Sequence, residues 1–146
     1  MKFTVKTKVG QSFINVKNGF NDDLLSRLSP PFPKVTLKRY DGSKPGDIVS
    51  LELNFFLFKQ TWTSKIVAES EIEGEYYFID EGVKLPHGLV FWRHKHLIKQ
   101  LSNGTEIQDI VEFKSYNDIL TFMIYPFILS QFIYRKPLYK RIFGKN

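Results

Sequence analysis

Ser102-Asn103-Gly104-Thr105 lies between two runs of alternating apolar and polar residues, Leu89–Leu101 and Thr105–Lys114. An Asn-Gly pair so placed signals a tight β-hairpin, because both central residues of a type I′ turn require positive φ. Such a turn pins the register: Ile98 faces Asp109, His96 faces Val111 and His94 faces Phe113. One face of the hairpin then carries Trp92, His94, His96, Ile98, Ile107, Asp109, Val111 and Phe113. Arg93, Lys95, Lys99, Gln108 and Glu112 take the other face. The first, mostly apolar face is the interior.

The chain before this hairpin is punctuated in the same way. Val35–Tyr40 leads into Asp41-Gly42, Lys44-Pro45-Gly46 precedes Asp47–Phe55, and Gln60–Glu69 and Gly74–Glu81 follow. With a first strand around Phe3 and Val5 these make seven strands, and their short connections imply an antiparallel meander. Segment 10–28 has a different texture. Phe13, Ile14, Val16 and Lys17 precede Asn18-Gly19, and Asn21 or Asp22 can cap a stretch holding Leu24, Leu25 and Leu28. Two short helices are predicted there, ended by Ser29-Pro30-Pro31-Phe32-Pro33. After the last strand Asn117 can cap a helix that starts at Asp118 and runs to about Ile142. Apolar residues at 119, 122, 123, 127, 129, 132 and 133 nearly surround it, as expected of a helix gripped by a concave sheet. Pro126 is expected to kink it.

The 146 residues suit a single domain spanning 1–146, long enough to bury roughly two-thirds of its unfolded surface. Aromatic residues make up 16% of the chain, with fourteen Phe and seven Tyr, and such large flat side chains fill a wide interior or line a pocket. Cysteine is absent, which excludes disulfides, thiolate metal sites and a Cys nucleophile and points to the cytoplasm. The opening MKFTVKTKVG reads as a strand and not as a secretion signal, since no apolar run follows its lysines. A net charge of +6 permits attraction to anionic partners without choosing among them.

Further motifs stand in order along the chain: Ser29-Pro-Pro-Phe, Phe78-Ile-Asp-Glu81, Phe91-Trp-Arg-His-Lys-His96, Gly104-Thr-Glu-Ile-Gln-Asp109 and Phe132-Ile-Tyr-Arg135. Together with the element order they resemble the START-like (SRPBCC) superfamily of polyketide cyclases, START domains and the major birch-pollen allergen. The resemblance implies an α+β helix-grip fold: a seven-stranded curved antiparallel sheet around a long C-terminal helix, with two short helices after the first strand. It also implies a cavity between sheet and helix that binds a hydrophobic small molecule or lipid. Strand parity and that placement make Trp62, Tyr76, Phe78, Trp92, His94, His96, Asp109, Phe122 and Tyr134 the candidate cavity residues. No cofactor is expected. The shortened first helices and the proline-containing final helix depart from the family pattern, and they border the cavity mouth in such folds.

His94 and His96 point to one side of a strand, and Asp109 lies diagonally opposite His96, within reach of it. A metal would use the two imidazoles, but no further cluster supplies the remaining ligands, so none is expected. A hydrogen-bonded polar seam of His94, His96 and Asp109 satisfies these groups and is the favoured reading; the alternative, a ligand-orienting or proton-transferring imidazole, would in the latter case make the chain a cyclase or dehydratase. His87, in the Pro86-His87-Gly88 turn, is expected to be exposed. Basic residues do not interleave with the aromatics, which argues against nucleic acid. No phosphate loop opens a helix and no GxSxG elbow occurs. Ile119 to Tyr134 carries no charge and is followed by Arg135, Lys136, Lys140, Arg141 and Lys145. Thr121, Pro126, Ser130 and Gln131 interrupt that stretch, which is too short to span a bilayer, whereas weak contact with an anionic membrane surface fits the composition.

Overall fold

In the computed structural model, which describes residues 1–144, the elements follow the predicted order. They are β1 (Lys2–Val9), α1 (Phe13–Asn18), α2 (Asp22–Arg27), β2 (Lys34–Tyr40), β3 (Ile48–Asn54), β4 (Lys59–Ile72), β5 (Glu75–Lys84), β6 (Phe91–Leu101), β7 (Gly104–Lys114), α3 (Asp118–Ile133) and α4 (Arg135–Ile142). The strands form one antiparallel sheet in the order β1-β7-β6-β5-β4-β3-β2. Strict alternation in β1 buries Phe3, Val5, Thr7 and Val9 on one face. Register shifts between β4 and β5, at Thr63/Ser64 and Ile66/Ala68, add the local twist that lets such a sheet curl. The first three helices begin at polar caps: Ser12 accepts from the Asn15 amide, Asn21 from Leu24 and Asn117 from Leu120. Each bond satisfies an amide that the first turn leaves free.

The β6–β7 hairpin sits two residues away from the predicted register. His96 faces Asp109, His94 faces Val111 and Ile98 faces Ile107, while Leu101 closes the turn against Gly104. Ser102 and Asn103 are therefore the central turn residues, and neither has a positive φ. Gly104 has φ 148°, and a side chain there would collide with the Val9 carbonyl oxygen. The glycine serves the close approach of β1 and not the turn. A slip of two residues leaves every side chain on its own face, so the predicted interior face is the observed one.

The C-terminal helix also differs from expectation. It is continuous through Pro126 and is interrupted at Tyr134. Pro137, three residues further on, has no N–H to donate to the carbonyl of Ile133, which ends α3 there. Ile128 and Phe132 of α3 pack with Phe3, Val5, Trp92, Val111 and Phe113 on the concave face of β1, β7 and β6. A second cluster gathers α1, α2 and α4 over Ile66, Tyr76, Phe78, Ile98 and Ile107, with Tyr139 and Phe143 at its centre. The opposite side of α3 is bare: Ile119, Phe122 and Met123 are 77%, 71% and 69% exposed. Phe132→Ala should therefore destabilise the protein by about 3–5 kcal/mol, and Phe122→Ala by about 0.5 kcal/mol or less, measured by urea unfolding.

Candidate functional site

The concave face is filled only in part. Beside the α3 contact a cavity of about 430 Å³ remains, bounded by the inner faces of β2 to β6, by α2 and by one side of α3. Its walls are mostly apolar. Leu24 and Leu28 come from α2, Leu51 and Leu53 from β3, and Ile124, Phe127 and Ile128 from α3. The indoles of Trp62 and Trp92 meet edge to face inside it, with centroids 4.7 Å apart. Phe55 and Phe58, stacked at 5.1 Å across the β3–β4 turn, add to its lining.

Its polar end is built by strand parity on β5 and β6. Phe78 and Asp80 lie opposite His96 and His94, so all four side chains reach the same face. His96 Nε2 donates to Asp80 Oδ2 at 2.7 Å, and Trp92 Nε1 donates to Asp80 Oδ1 at 3.3 Å. His94 Nε2 donates to Asp109 Oδ1 at 2.9 Å, and its Nδ1 lies 3.7 Å from Asp80 Oδ2. Phe78 stacks on His96 with centroids 4.2 Å apart. Arg135, at the start of α4, places Nη1 3.6 Å from Asp109 Oδ1 and its guanidinium 4.5 Å from the Phe132 ring centroid.

Burial sets the electrostatics of this group. It disfavours charge on Asp80 and Asp109, yet both carboxyls lie below the ordinary range, because the imidazole hydrogen bonds and neighbouring positive charges outweigh it. The imidazole of His96 is pushed down to about 4 by burial and by nearby His94, against the opposing pull of Asp80. Burial and the charge of Asp109 raise the Tyr139 hydroxyl. Among the described residues Thr7 Oγ1, Asp109 Oδ2, Gln131 Oε1 and Tyr139 Oη are buried without a hydrogen-bond partner.

Of the residues named from sequence, Trp62, Phe78, Trp92, His94 and His96 line the cavity. Asp109 stands behind His94, 1% exposed. Tyr76 lies outside the lining: it is buried with its hydroxyl donating to Glu69 at 2.6 Å and with Lys17 over its ring. Phe122 and Tyr134 project from the outer side of the helical rod and need correction as cavity residues; Phe127, Gln131 and Arg135 present the cavity-facing side instead. His87 is exposed at the rim, 3.2 Å from the Tyr116 hydroxyl. Sequence reasoning missed Asp80 and Arg135. Asp80 shares the parity of Tyr76 and Phe78, which would have found it, whereas Arg135 was counted with the basic tail. That tail is divided in the structure: Arg135 turns inward, Lys136 donates to the Lys6 carbonyl, Lys140 and Arg141 are exposed, and Lys145 lies outside the described residues. Asp80 also changes the ligand count for a metal, since Asp80, His94 and His96 each offer one ligand atom and all three atoms lie within 4.8 Å of one another.

No protein-family model matches the sequence, and no curated protein matches it. Solved structures do match the fold. Protein Ms6760 from Mycobacterium smegmatis superposes with a TM-score of 0.70 at 13% identity, over 97% of this chain and 89% of that one. The Zhui aromatase/cyclase from Streptomyces sp. R1128 gives 0.70 at 14% identity, over 94% and 89%. The chain has the helix-grip fold that these structures share. Norcoclaurine synthase from Thalictrum flavum, solved with dopamine and hydroxybenzaldehyde, shares this helix-grip architecture with a TM-score of 0.63 at 13% identity, over 91% and 82%. In the present helix-grip chain no described helix is long and apolar enough to cross a membrane.

Proposed function

We infer that the chain binds a hydrophobic small molecule or lipid, without transforming it, in the cavity between sheet and α3. The carrying observation is a mostly apolar space of about 430 Å³ whose lining includes a few polar groups, Asp80, His94 and His96 among them. That is the usual build of a small-molecule site, with apolar walls for affinity and sparse polar groups for orientation. The norcoclaurine synthase of the same fold holds small aromatic molecules, which supports this reading. The cyclase or dehydratase alternative is weaker on chemical grounds. An imidazole held down to about 4 is a poor base at neutral pH, and Asp80 and Asp109 each accept a hydrogen bond from an imidazole. A cysteine-free binder of this kind suits the cytoplasm. Native mass spectrometry of protein taken directly from cells should show one retained apolar molecule. Leu51→Trp, which fills the cavity, should remove it with the circular dichroism unchanged; an occupant that persists in the filled variant contradicts the assignment.

A second reading, peripheral contact with an anionic membrane, is favoured by the β3–β4 turn. Phe56 and Leu57 are 93% and 95% exposed there, Phe56 has φ 81°, and the adjacent Phe55 and Phe58 line the cavity. An apolar tip on a basic protein can enter the interface of an anionic bilayer and would deliver a lipid next to its binding space. Wild-type protein should sediment with phosphatidylserine vesicles at low salt, less so at high salt, and the double variant Phe56→Ser, Leu57→Ser should stay in solution. A wild type that ignores these vesicles at low salt ends this reading.

A further inference from the structure

Asp80 on β5 and His94 and His96 on β6 bring three ligand atoms within 4.8 Å of one another at the polar end of the cavity. We propose that these three side chains bind a divalent first-row transition-metal ion whose remaining coordination positions open into the cavity. The proposal is independent of the ligand reading above.

His94 carries the argument. Its Nε2 lies 2.9 Å from a carboxylate oxygen of Asp109, which can only accept, so Nε2 bears the hydrogen. In the neutral ring Nδ1 then presents a lone pair, and it faces Asp80 Oδ2 at 3.7 Å. Two acceptors that face each other repel, and although Asp80 Oδ2 also accepts from His96 Nε2, a cation between it and His94 Nδ1 would satisfy both. A metal ion there would take the place of the hydrogen on His96 Nε2, 2.7 Å from the same Asp80 oxygen, and engage that nitrogen too, the ring proton moving to Nδ1. Two carboxylates, Asp109 buried and Asp80 partly buried, stand against the guanidinium of Arg135, so charge favours an added cation as well.

Each proposed ligand is already oriented from outside. Trp92 Nε1 holds the other oxygen of Asp80, Asp109 fixes the tautomer of His94, and Phe78 stacks flat on His96. Metal sites use partners of this kind to set ring orientation and ligand basicity. The donor set selects the metal class: two imidazoles and one carboxylate suit Fe(II), Co(II) or Zn(II), whereas Ca²⁺ and Mg²⁺ ask for more oxygen ligands. Three protein ligands with open positions are the pattern of a reactive or ligand-accepting centre, unlike the closed four-ligand sites that only staple a fold. Asp80, His94 and His96 all line the cavity, so an oxygen-bearing end of a bound molecule could complete the coordination.

The test uses tag-free full-length protein stripped with a chelator, titrated at neutral pH with Zn²⁺ by calorimetry and with Co²⁺ by visible absorption. One equivalent should bind with micromolar affinity or tighter, and Co²⁺ should develop d–d bands. His96→Gln and Asp80→Asn should weaken binding roughly a hundredfold or more and Asp109→Asn about 10–100-fold, while His87→Gln should change nothing. A folded wild type that binds neither ion overturns the proposal. Binding lost in His87→Gln but kept in His96→Gln overturns it too. If Asp80→Asn does not fold, proton NMR of the Co²⁺ form decides: strongly shifted ring protons of His94 and His96 support the site, and shifts confined to His87 refute it.

Discussion

A carboxylate buried as deeply as that of Asp109 has to be met by donors or positive charge, because holding a lone ion away from water costs several kcal/mol. Its partners come from two other elements, His94 on β6 and Arg135 at the head of α4. Arg135 in turn lies over Phe132, so the pairing helps to fix the end of α3 as well as the start of α4. One strand further on, Asp80 repeats the arrangement with His96 and Trp92. This polar chain runs from α4 across β7 and β6 to β5 and decides where an otherwise slippery apolar helix can rest.

The same constraint explains why the interior is not filled. With α3 held over β1, β7 and β6 by Phe3, Trp92, Phe113, Ile128 and Phe132, the curled sheet still has a free concave wall on β2 to β5. α2 is short, Asp22–Arg27, and contributes only Leu24, Leu25 and Leu28 to that side. Aromatic and aliphatic walls then enclose space in place of packing against one another. Closely packed interiors are the rule in folded proteins, which makes a persistent apolar space of this size the feature that calls for an occupant.

How much of this could be read from the sequence follows from the period of each element. In strands, alternation alone assigns a face, and the interior face of β6 and β7 survived a two-residue error in register because such a slip changes partners and not sides. Parity gives the face but not the position along it: Tyr76 is buried as its parity demands, yet beyond the end of the cavity, against Lys17 and Glu69. The final helix offered no such guide. It is apolar on nearly every side, so Phe122 and Tyr134 were as plausible as Phe127 and Gln131 until the packing of α3 chose between them. Arg135 looked like one more basic residue after an uncharged segment, and only the rotation of the rod turns it toward Asp109. Asp80 was legible, two residues from Phe78 on the same strand face.

The central claim is that the space under α3 admits an apolar guest whose polar end meets Asp80, His94 and His96. Trp62 and Trp92 are the only tryptophans in the chain, and both line that space. Their indole N–H groups donate to Ser64 and Asp80, so each should report directly on an occupant. Titration of ¹⁵N-labelled protein with 2-naphthol, followed on the two indole cross-peaks, is the most direct measurement. Both peaks should move together and saturate with one dissociation constant, accompanied by the ring signals of His96. Indole peaks that stay fixed while only the exposed amides around Phe56 and Leu57 respond would contradict the account.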